Sequence, residues 1–207
     1  MPKRSHSGCG RALGAVRLSH VTKVTTSPAR QRATVHTLSA HIGFSLIGEA
    51  ADLGVSARAT SPFGRPALGP WLRRPDSYDA VIWSHVDRAV RSVAHMSELI
   101  AWGCEQAVTL VFGLPDEPEP LTITPQADGR TVRRAMDLAY AAEQESRTIS
   151  SRLTGTHGAS RAAGRYGGGL VPFGYRTPPG RAGVSPRPQR PPRSCAPSSS
   201  RLRQGIP

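Results

Sequence analysis

Four short apolar stretches recur along the first 112 residues, separated by longer polar or mixed segments. They read ALGAVRLS (12–19), FSLIGEA (44–50), YDAVIW (78–83) and AVTLVF (107–112). Their lengths fit strands, and a nearly continuous apolar run such as YDAVIW is typical of a strand covered on both faces. The pattern therefore predicts a strand at each stretch.

Helical patterns lie between these stretches. Ser27-Pro28 is a good helix start, since Ser caps the first turn and Pro suits it. Apolar residues then recur at helical spacing up to Gly43, which favours a helix end. A short helix is predicted within residues 65–74. A second apolar stripe at helical spacing predicts a longer helix after the third strand. The stripe of the first helix is Val35, Leu38 and Ile42, and that of the later helix is Ala89, Val93, Met96 and Ile100.

The order of these elements predicts the fold class. Strands that alternate with helices indicate an α/β protein with a mostly parallel sheet, here of four to five strands flanked by helices. A proline-free, alanine-rich stretch from Arg130 to about Arg165 predicts one long C-terminal helix. Residues 176–207 hold eight Pro and seven Arg and few large apolar side chains, which predicts a disordered tail.

The charge of the chain changes the range of partners to consider. The 207 residues carry a formal net charge of +13, which favours polyanionic partners and nucleic acid first. A ribosomal or histone-like protein fits this charge equally well.

Cys9, Cys104 and Cys195 have neither disulfide nor metal spacing, so we expect a reducing cytoplasm. We see no membrane span and no signal peptide.

The segment VRLSHVTKVTTSPARQ (16–31) resembles the first motif of serine recombinases of the resolvase/invertase type. The resemblance is strongest to the N-terminal domain of the large serine integrases of actinobacteria and their phages. Three further segments match in order and at the family's spacing: GEAADLGVSARATSPFGRP (48–66), YDAVIWSHVDRAVRS (78–92) and RYGGGLVPFGYR (165–176). Each motif alone is modest, whereas four in register are specific.

The resemblance implies a domain organisation and a set of site residues. Residues 12–165 would form the catalytic domain, after a loose basic leader (1–11) and before a linker (166–176) and the tail (177–207). Ser19 would be the nucleophile that forms a 5′-phosphoserine link with cleaved DNA, and Arg17 would contact the scissile phosphate. The other implied residues are Arg65, Asp87, Arg88 and Arg91 at the active site, Asp52, Ser56 and Gln31 as support, and Arg165 and Arg176 as DNA-binding residues.

Arginine suits this chemistry. Phosphoryl transfer spreads negative charge over the equatorial oxygens, and a guanidinium fork stays charged and grips a phosphate through two bonds. Four arginines could replace a metal, and the sequence has neither a P-loop nor an obvious carboxylate cage for Mg²⁺. We therefore expect no cofactor. The resemblance implies double-stranded DNA as the substrate and a homodimer that pairs into a tetramer on DNA.

Other interpretations stay open at this stage. A lone Ser after a strand is usually a turn or cap residue, and arginines on a helix are usually a solvated face. The recombinase and zinc-ribbon domains of large integrases do not follow Tyr175, which suggests a truncated or frameshifted integrase. Such a remnant could act only as a non-specific DNA-binding or dimerising protein, and a basic structural protein is a third possibility.

Overall fold

The computed structural model describes residues 9–19 and 27–163 of the chain. The predicted linker and tail, most of the predicted leader, and the candidate residues Arg165 and Arg176 lie outside the described residues. Internal contacts divide the chain into one unit of residues 1–149 and a second of residues 150–207.

Five strands form one sheet in the order β2-β1-β3-β4-β5. Strands β1 to β4 run parallel, and β5 pairs antiparallel with β4. The prediction of an α/β fold with a mostly parallel sheet is therefore confirmed. The strands are β1 (Gly10–Leu18), β2 (Phe44–Leu53), β3 (Ala80–Trp83), β4 (Thr109–Phe112) and β5 (Leu121–Ile123).

The first four described helices lie between strands in the sequence, and a fifth, long helix follows the last strand. Single 3₁₀ turns at Pro62–Gly64 and Pro75–Ser77 precede and follow the short second helix. None of the helices in the described ranges is long and apolar enough to cross a membrane. The helices are α1 (Ser27–His41), α2 (Leu68–Leu72), α3 (Val86–Ala89), α4 (Val93–Glu105) and α5 (Gly129–Ala162).

The sheet separates two buried clusters, as the alternation of side chains along its strands requires. On one face, α1 places Val35 and Leu38 against Ala12 and Ile82. The other face carries the larger cluster, where α2, α4 and the first part of α5 pack on β1, β3 and β4. The rings of Trp83 and Phe112, neighbours on β3 and β4, stack there with centroids 5.1 Å apart. Arg17 has the same strand parity as Leu13 and therefore lies on this larger face.

Two features differ from the sequence-based expectation. The stripe from Ala89 to Ile100 predicted one helix, but it is split between α3 and α4, because Val90 and Ser92 have extended backbone dihedrals. Strand β5 has three residues, too few for a periodic signal, and it follows a proline-rich loop. Both differences reflect tertiary contacts that outweigh the local pattern.

Ala107 is a non-glycine residue with a positive φ of 52°, in the turn between α4 and β4. We expect Ala107→Gly to raise the free energy of unfolding by about 1 kcal/mol, because glycine adopts this conformation without a Cβ penalty. Thermal unfolding should show a Tm increase of roughly 2–4 °C. The control is Ala101→Gly on the exposed side of α4, which should lower stability by about 1 kcal/mol. A loss of stability in both variants would contradict the assigned strain.

The described part of the second unit is helical. Residues 150–162 complete α5, and nearly all of them are exposed. Thr154 and Thr156 each donate a hydroxyl hydrogen bond to the carbonyl four residues earlier, at 3.0 and 2.9 Å. Such back-bonding satisfies these hydroxyls within the helix.

Candidate active site

The candidate residues gather where the parallel strands end. Arg17 is the penultimate residue of β1, and Asp52 is the penultimate residue of β2 and its register partner. The segment with Asp87, Arg88 and Arg91 directly follows β3. Carboxyl ends of parallel strands share one edge of the sheet, where α/β proteins commonly bind ligands. Motifs that are far apart in the sequence therefore meet at one place.

Arg17 is 1% exposed, and each of its three guanidinium nitrogens donates a hydrogen bond to a backbone carbonyl. Its Nε donates to the Arg88 carbonyl at 3.2 Å, its Nη1 to the Val55 carbonyl at 3.2 Å, and its Nη2 to the Asp87 carbonyl at 3.1 Å. The last carbonyls of a helix lack partners within the helix, and a cation suits that end of its dipole. Arg17 thus stabilises the C-terminal end of α3. A direct contact with a phosphate is left to the second N–H of Nη1 or of Nη2.

Arg65 reaches the same helix end from the other side. This residue is 2% exposed, and its Nη1 donates to the Arg88 carbonyl at 3.2 Å while its Nη2 donates to the Ala89 carbonyl. One carbonyl oxygen, that of Arg88, therefore receives a hydrogen bond from each of two buried guanidiniums. The Nε of Arg65 is buried and has no hydrogen-bond partner among the described residues.

The carboxylate of Asp87 holds two further guanidiniums. Arg88 Nη1 and Arg91 Nη2 both donate to Asp87 Oδ2, at 2.7 and 3.1 Å. Their side chains are 25% and 27% exposed, in contrast to the two buried arginines. The Nε of Arg88 also lacks a partner among the described residues. Two partly exposed guanidiniums, fixed by one acid, therefore face solvent at the sheet edge.

The electrostatics follow from this concentration of positive charge. Burial, together with the smaller effect of the neighbouring arginine charges, lowers the pKa of Arg17 to about 10, and the Asp87 carboxylate opposes this shift. The charges that contribute are, in decreasing order, those of Arg91, Arg65 and Arg88. Burial likewise lowers the pKa of Arg65 to about 10, and the nearby Asp52 carboxylate opposes this shift. Both values lie well above neutral pH, so both guanidiniums remain charged there.

Asp52 lies at the end of β2, and Ser56 lies in the segment that follows this strand. The Asp52 carboxylate is buried and accepts the backbone N–H of Ala67 at 2.7 Å and that of Leu68 at 3.2 Å. It therefore caps the start of α2 and orders the chain that follows Arg65. Ser56 is exposed, and its hydroxyl accepts the Ala59 N–H at 3.4 Å within a turn. These contacts give Asp52 a structural role and place Ser56 at the surface.

Gln31 on α1 fixes the backbone of Arg17. The Arg17 N–H donates to Gln31 Oε1 at 3.1 Å, and Gln31 Nε2 donates to the Arg17 carbonyl at 3.0 Å. Gln31 is 4% exposed. The side-chain amide thus substitutes for a neighbouring strand at this residue, because it satisfies both backbone groups at once.

Ser19 is the residue after the end of β1, where the chain bends, and it is partly buried. The preceding carbonyl, that of Leu18, accepts two N–H groups from the turn after β2: that of Gly54 at 2.7 Å and that of Val55 at 3.1 Å. The candidate nucleophile therefore lies two residues beyond Arg17 at the edge where the arginines gather. Sequence reasoning found Ser19 and Arg17 but not the turn that holds them.

A second contact that the sequence did not indicate ties α5 to this edge. Glu143 Oε2 accepts the N–H of Val93, the first residue of α4, at 2.9 Å across fifty positions. Ser92, the residue before α4, makes no side-chain capping bond. A glutamate in the middle of a charged helix gives no signal that it caps another helix, so only the structure reveals this contact.

Comparison with known proteins places the chain in a family. The profile of the family described as "Resolvase, N terminal domain" matches residues 12–166. No curated protein is significantly similar to the chain.

The chain is also similar to solved structures, among them the following three. The N-terminal catalytic domain of TP901-1 integrase is 14% identical, with a TM-score of 0.48, covering 68% of this chain and 98% of that domain. The C-terminal catalytic domain of ISC1926 TnpA, an IS607-like serine recombinase, is 17% identical, with a TM-score of 0.43. The match covers 53% of this chain and 71% of that domain. A resolvase family site-specific recombinase from Streptococcus pneumoniae is 15% identical, with a TM-score of 0.46. The match covers 74% of this chain and 97% of that one. Similarity at this level carries no argument by itself, and the assignment depends on the family profile.

The fold and the profile together define a serine recombinase catalytic domain. The chain belongs to the resolvase N-terminal domain family. The family predicted from the four sequence motifs is thereby confirmed.

Proposed function

We propose that this domain breaks and rejoins DNA strands through Ser19, and that its arginine cluster stabilises the transferred phosphoryl group. The observation that carries the proposal is the convergence of four arginines, two of them with buried Nε–H groups that lack a partner among the described residues. Buried donors are almost always satisfied, and an anion is the acceptor that such a cluster favours. A DNA phosphodiester is the anion that the family implies.

The geometry suggests a division of roles among the arginines. Arg88 and Arg91 are partly exposed and are oriented by Asp87, so we assign them the contact with phosphate oxygens. Arg17 and Arg65 are buried beneath them, hold the carbonyls of α3, and add positive potential at short range. A preorganised charge in a water-poor site stabilises developing negative charge more than the same charge in water.

The proposed step is a balanced transesterification. A lone pair of Ser19 Oγ forms the new P–O bond while the bond from phosphorus to the 3′ oxygen breaks, and the Ser19 proton ends on the 3′ hydroxyl. The reverse attack by a 3′ hydroxyl restores the phosphodiester and frees Ser19. The phosphoserine conserves the energy of the original bond, so the reaction needs no nucleotide cofactor.

Gln31, Asp52 and Ser56 support this site in the proposal. Gln31 fixes the backbone of Arg17, and Asp52 orders the chain next to Arg65. Ser56 is exposed near the end of β2 and is available to contact DNA. Arg165 and Arg176 remain predicted DNA-binding residues, and the truncation and the dimer that pairs into a tetramer also remain predictions.

The test is covalent capture of DNA by Ser19. A random-sequence library of duplexes with a central nick traps a phosphoserine adduct, because the short cleaved strand diffuses away before religation. We expect SDS-resistant complexes with the parent chain, and a loss of roughly 10³-fold or more in Ser19→Ala, which lacks the nucleophile. The control is Ser45→Ala, an exposed serine at the opposite end of β2.

The outcomes separate the three functions. Adducts that persist in Ser19→Ala would contradict the assigned nucleophile. If the parent binds DNA but forms no adduct, the chain is a non-catalytic DNA-binding or dimerising protein. If deletion of residues 177–207 abolishes all DNA affinity and Ser19 has no influence, the charge of the tail is the function.

A further inference from the structure

We propose that Gly54 is a positioning residue for the nucleophile, because the turn it forms fixes the peptide plane between Leu18 and Ser19. This inference rests on the proposed function of Ser19. Gly54 and Val55 form the turn that follows β2, and neither residue had been a candidate from the motifs alone.

The turn holds the end of β1 through three hydrogen bonds. The Leu18 carbonyl accepts the N–H of Gly54 at 2.7 Å and the N–H of Val55 at 3.1 Å. The Val55 carbonyl in turn accepts Arg17 Nη1 at 3.2 Å. Two residues of the turn therefore contact the two residues directly before Ser19.

The backbone conformation of Gly54 makes this arrangement possible. In an extended strand, successive N–H groups point in opposite directions, so two of them cannot reach one carbonyl. Gly54 has a φ of +84°, and such a turn brings successive N–H groups into one concave surface. Glycine adopts this conformation freely because it has no Cβ, and asparagine tolerates it better than the other residues do.

The consequence for Ser19 follows from the geometry of the peptide bond. The six atoms of a peptide unit are nearly coplanar, so a fixed Leu18 carbonyl sets the orientation of the Leu18–Ser19 unit and the position of the Ser19 Cα. Release of the Val55 N–H bond would let this unit tilt. A displacement of about 1 Å at a reacting group can reduce a rate by roughly 10²-fold.

The chain provides a matched control at Gly43. Gly43 has a φ of +73°, and neither Gly43 nor Gly54 has any atom within 4 Å of an added Cβ. An alanine at either position therefore strains the backbone without a steric clash. Gly43 precedes β2, whereas Gly54 follows it, so the two residues lie at opposite ends of that strand.

The first measurement is the rate of adduct formation with the nicked DNA. We expect Gly54→Ala to reduce the rate at saturating DNA by about 10- to 100-fold. Gly54→Asn should recover to within about threefold of the parent, since asparagine tolerates positive φ. Gly43→Ala should show a similar decrease in Tm but a rate within about twofold of the parent. Equal rates for Gly54→Ala and Gly43→Ala, or no recovery with asparagine, would overturn the proposal.

The second measurement needs no DNA, so it separates this inference from the proposed function. In a background with Ser19→Cys and with serine at positions 9, 104 and 195, the alkylation rate of Cys at position 19 by iodoacetamide reports the placement of that side chain. We expect Gly54→Ala to change this rate at least about threefold and Gly43→Ala to leave it unchanged. A parent that forms no adduct, together with this difference, rejects the function of Ser19 but keeps the role of Gly54. Equal labelling of the two variants rejects that role.

Discussion

Arg17→Met is expected to lower the free energy of unfolding by about 3 kcal/mol, the largest effect on stability of any variant considered for this site. The substitution leaves the Val55 and Asp87 carbonyls without their guanidinium donor. The Arg88 carbonyl loses one of its two donors and keeps the bond from Arg65. Each buried carbonyl without a partner costs about 1–3 kcal/mol, and the removal of a buried charge offsets part of this cost. Methionine retains most of the side-chain volume, so a cavity contributes little.

Thermal and urea unfolding measure this effect. A change of about 3 kcal/mol corresponds to a decrease in Tm of roughly 6–12 °C for a domain of this size. The control is Arg30→Met on the exposed side of α1, which removes the same charge and should change stability by less than about 0.5 kcal/mol. Arg17→Lys retains the charge but not the three-way donor geometry, so it should fall between the parent and Arg17→Met. Equal stability of Arg17→Met and Arg30→Met would show that the carbonyl contacts contribute little.

The stability of Arg17→Met tests whether Arg17 holds the protein backbone in place or contacts the DNA phosphate. The family resemblance implied that Arg17 contacts the scissile phosphate. In the structure each of its three guanidinium nitrogens donates to a backbone carbonyl, and the residue is 1% exposed. A residue that holds α3 influences catalysis through the placement of Arg88 and Asp87. Loss of stability and loss of rate should therefore occur together in Arg17 variants.

The periodic pattern predicted the main elements because their burial is regular. Strands β1, β3 and β4 are almost continuously buried, and α1 packs through Val35 and Leu38, so a two-faced sheet is visible in the sequence. The break between α3 and α4 was not visible, since Val90 is apolar and buried like its helical neighbours. Its extended conformation exposes the backbone carbonyls of α3, which the two buried arginines bind.

The candidate site was predictable only in part for a related reason. The motifs predicted side chains with chemical roles, such as Ser19 and Arg65, because the family resemblance assigns those roles to side chains. The contacts that position them involve backbone atoms, such as the Leu18 and Arg88 carbonyls, and backbone atoms are the same in every sequence. Glu143 illustrates the same limit, because its partner is the N–H of Val93.

Substitution of the two arginines that face solvent should lower the rate of adduct formation strongly and the stability only slightly, in contrast to Arg17→Met. We expect Arg88→Gln and Arg91→Gln each to reduce the rate of adduct formation by roughly 10²–10³-fold, and the double variant by roughly 10³–10⁵-fold. Both side chains are about one quarter exposed and pair with one carboxylate, so the free energy of unfolding should change by less than about 1 kcal/mol. Their removal also relieves the repulsion that they exert on the buried Arg17.

The measurement is the rate of adduct formation as a function of DNA concentration. The charge stabilised by Arg88 and Arg91 develops mainly in the transition state, so the maximal rate should decrease while the half-saturating concentration changes little. The double variant Arg30→Gln and Arg133→Gln is the control, since it removes the same charge from exposed helix positions. If that control loses as much activity as Arg88→Gln and Arg91→Gln, net charge rather than the site explains the loss. A different outcome would reverse the proposed division of roles. If Arg17→Lys is as stable as the parent but forms the adduct more slowly than Arg88→Gln and Arg91→Gln do, the phosphate contact belongs to Arg17.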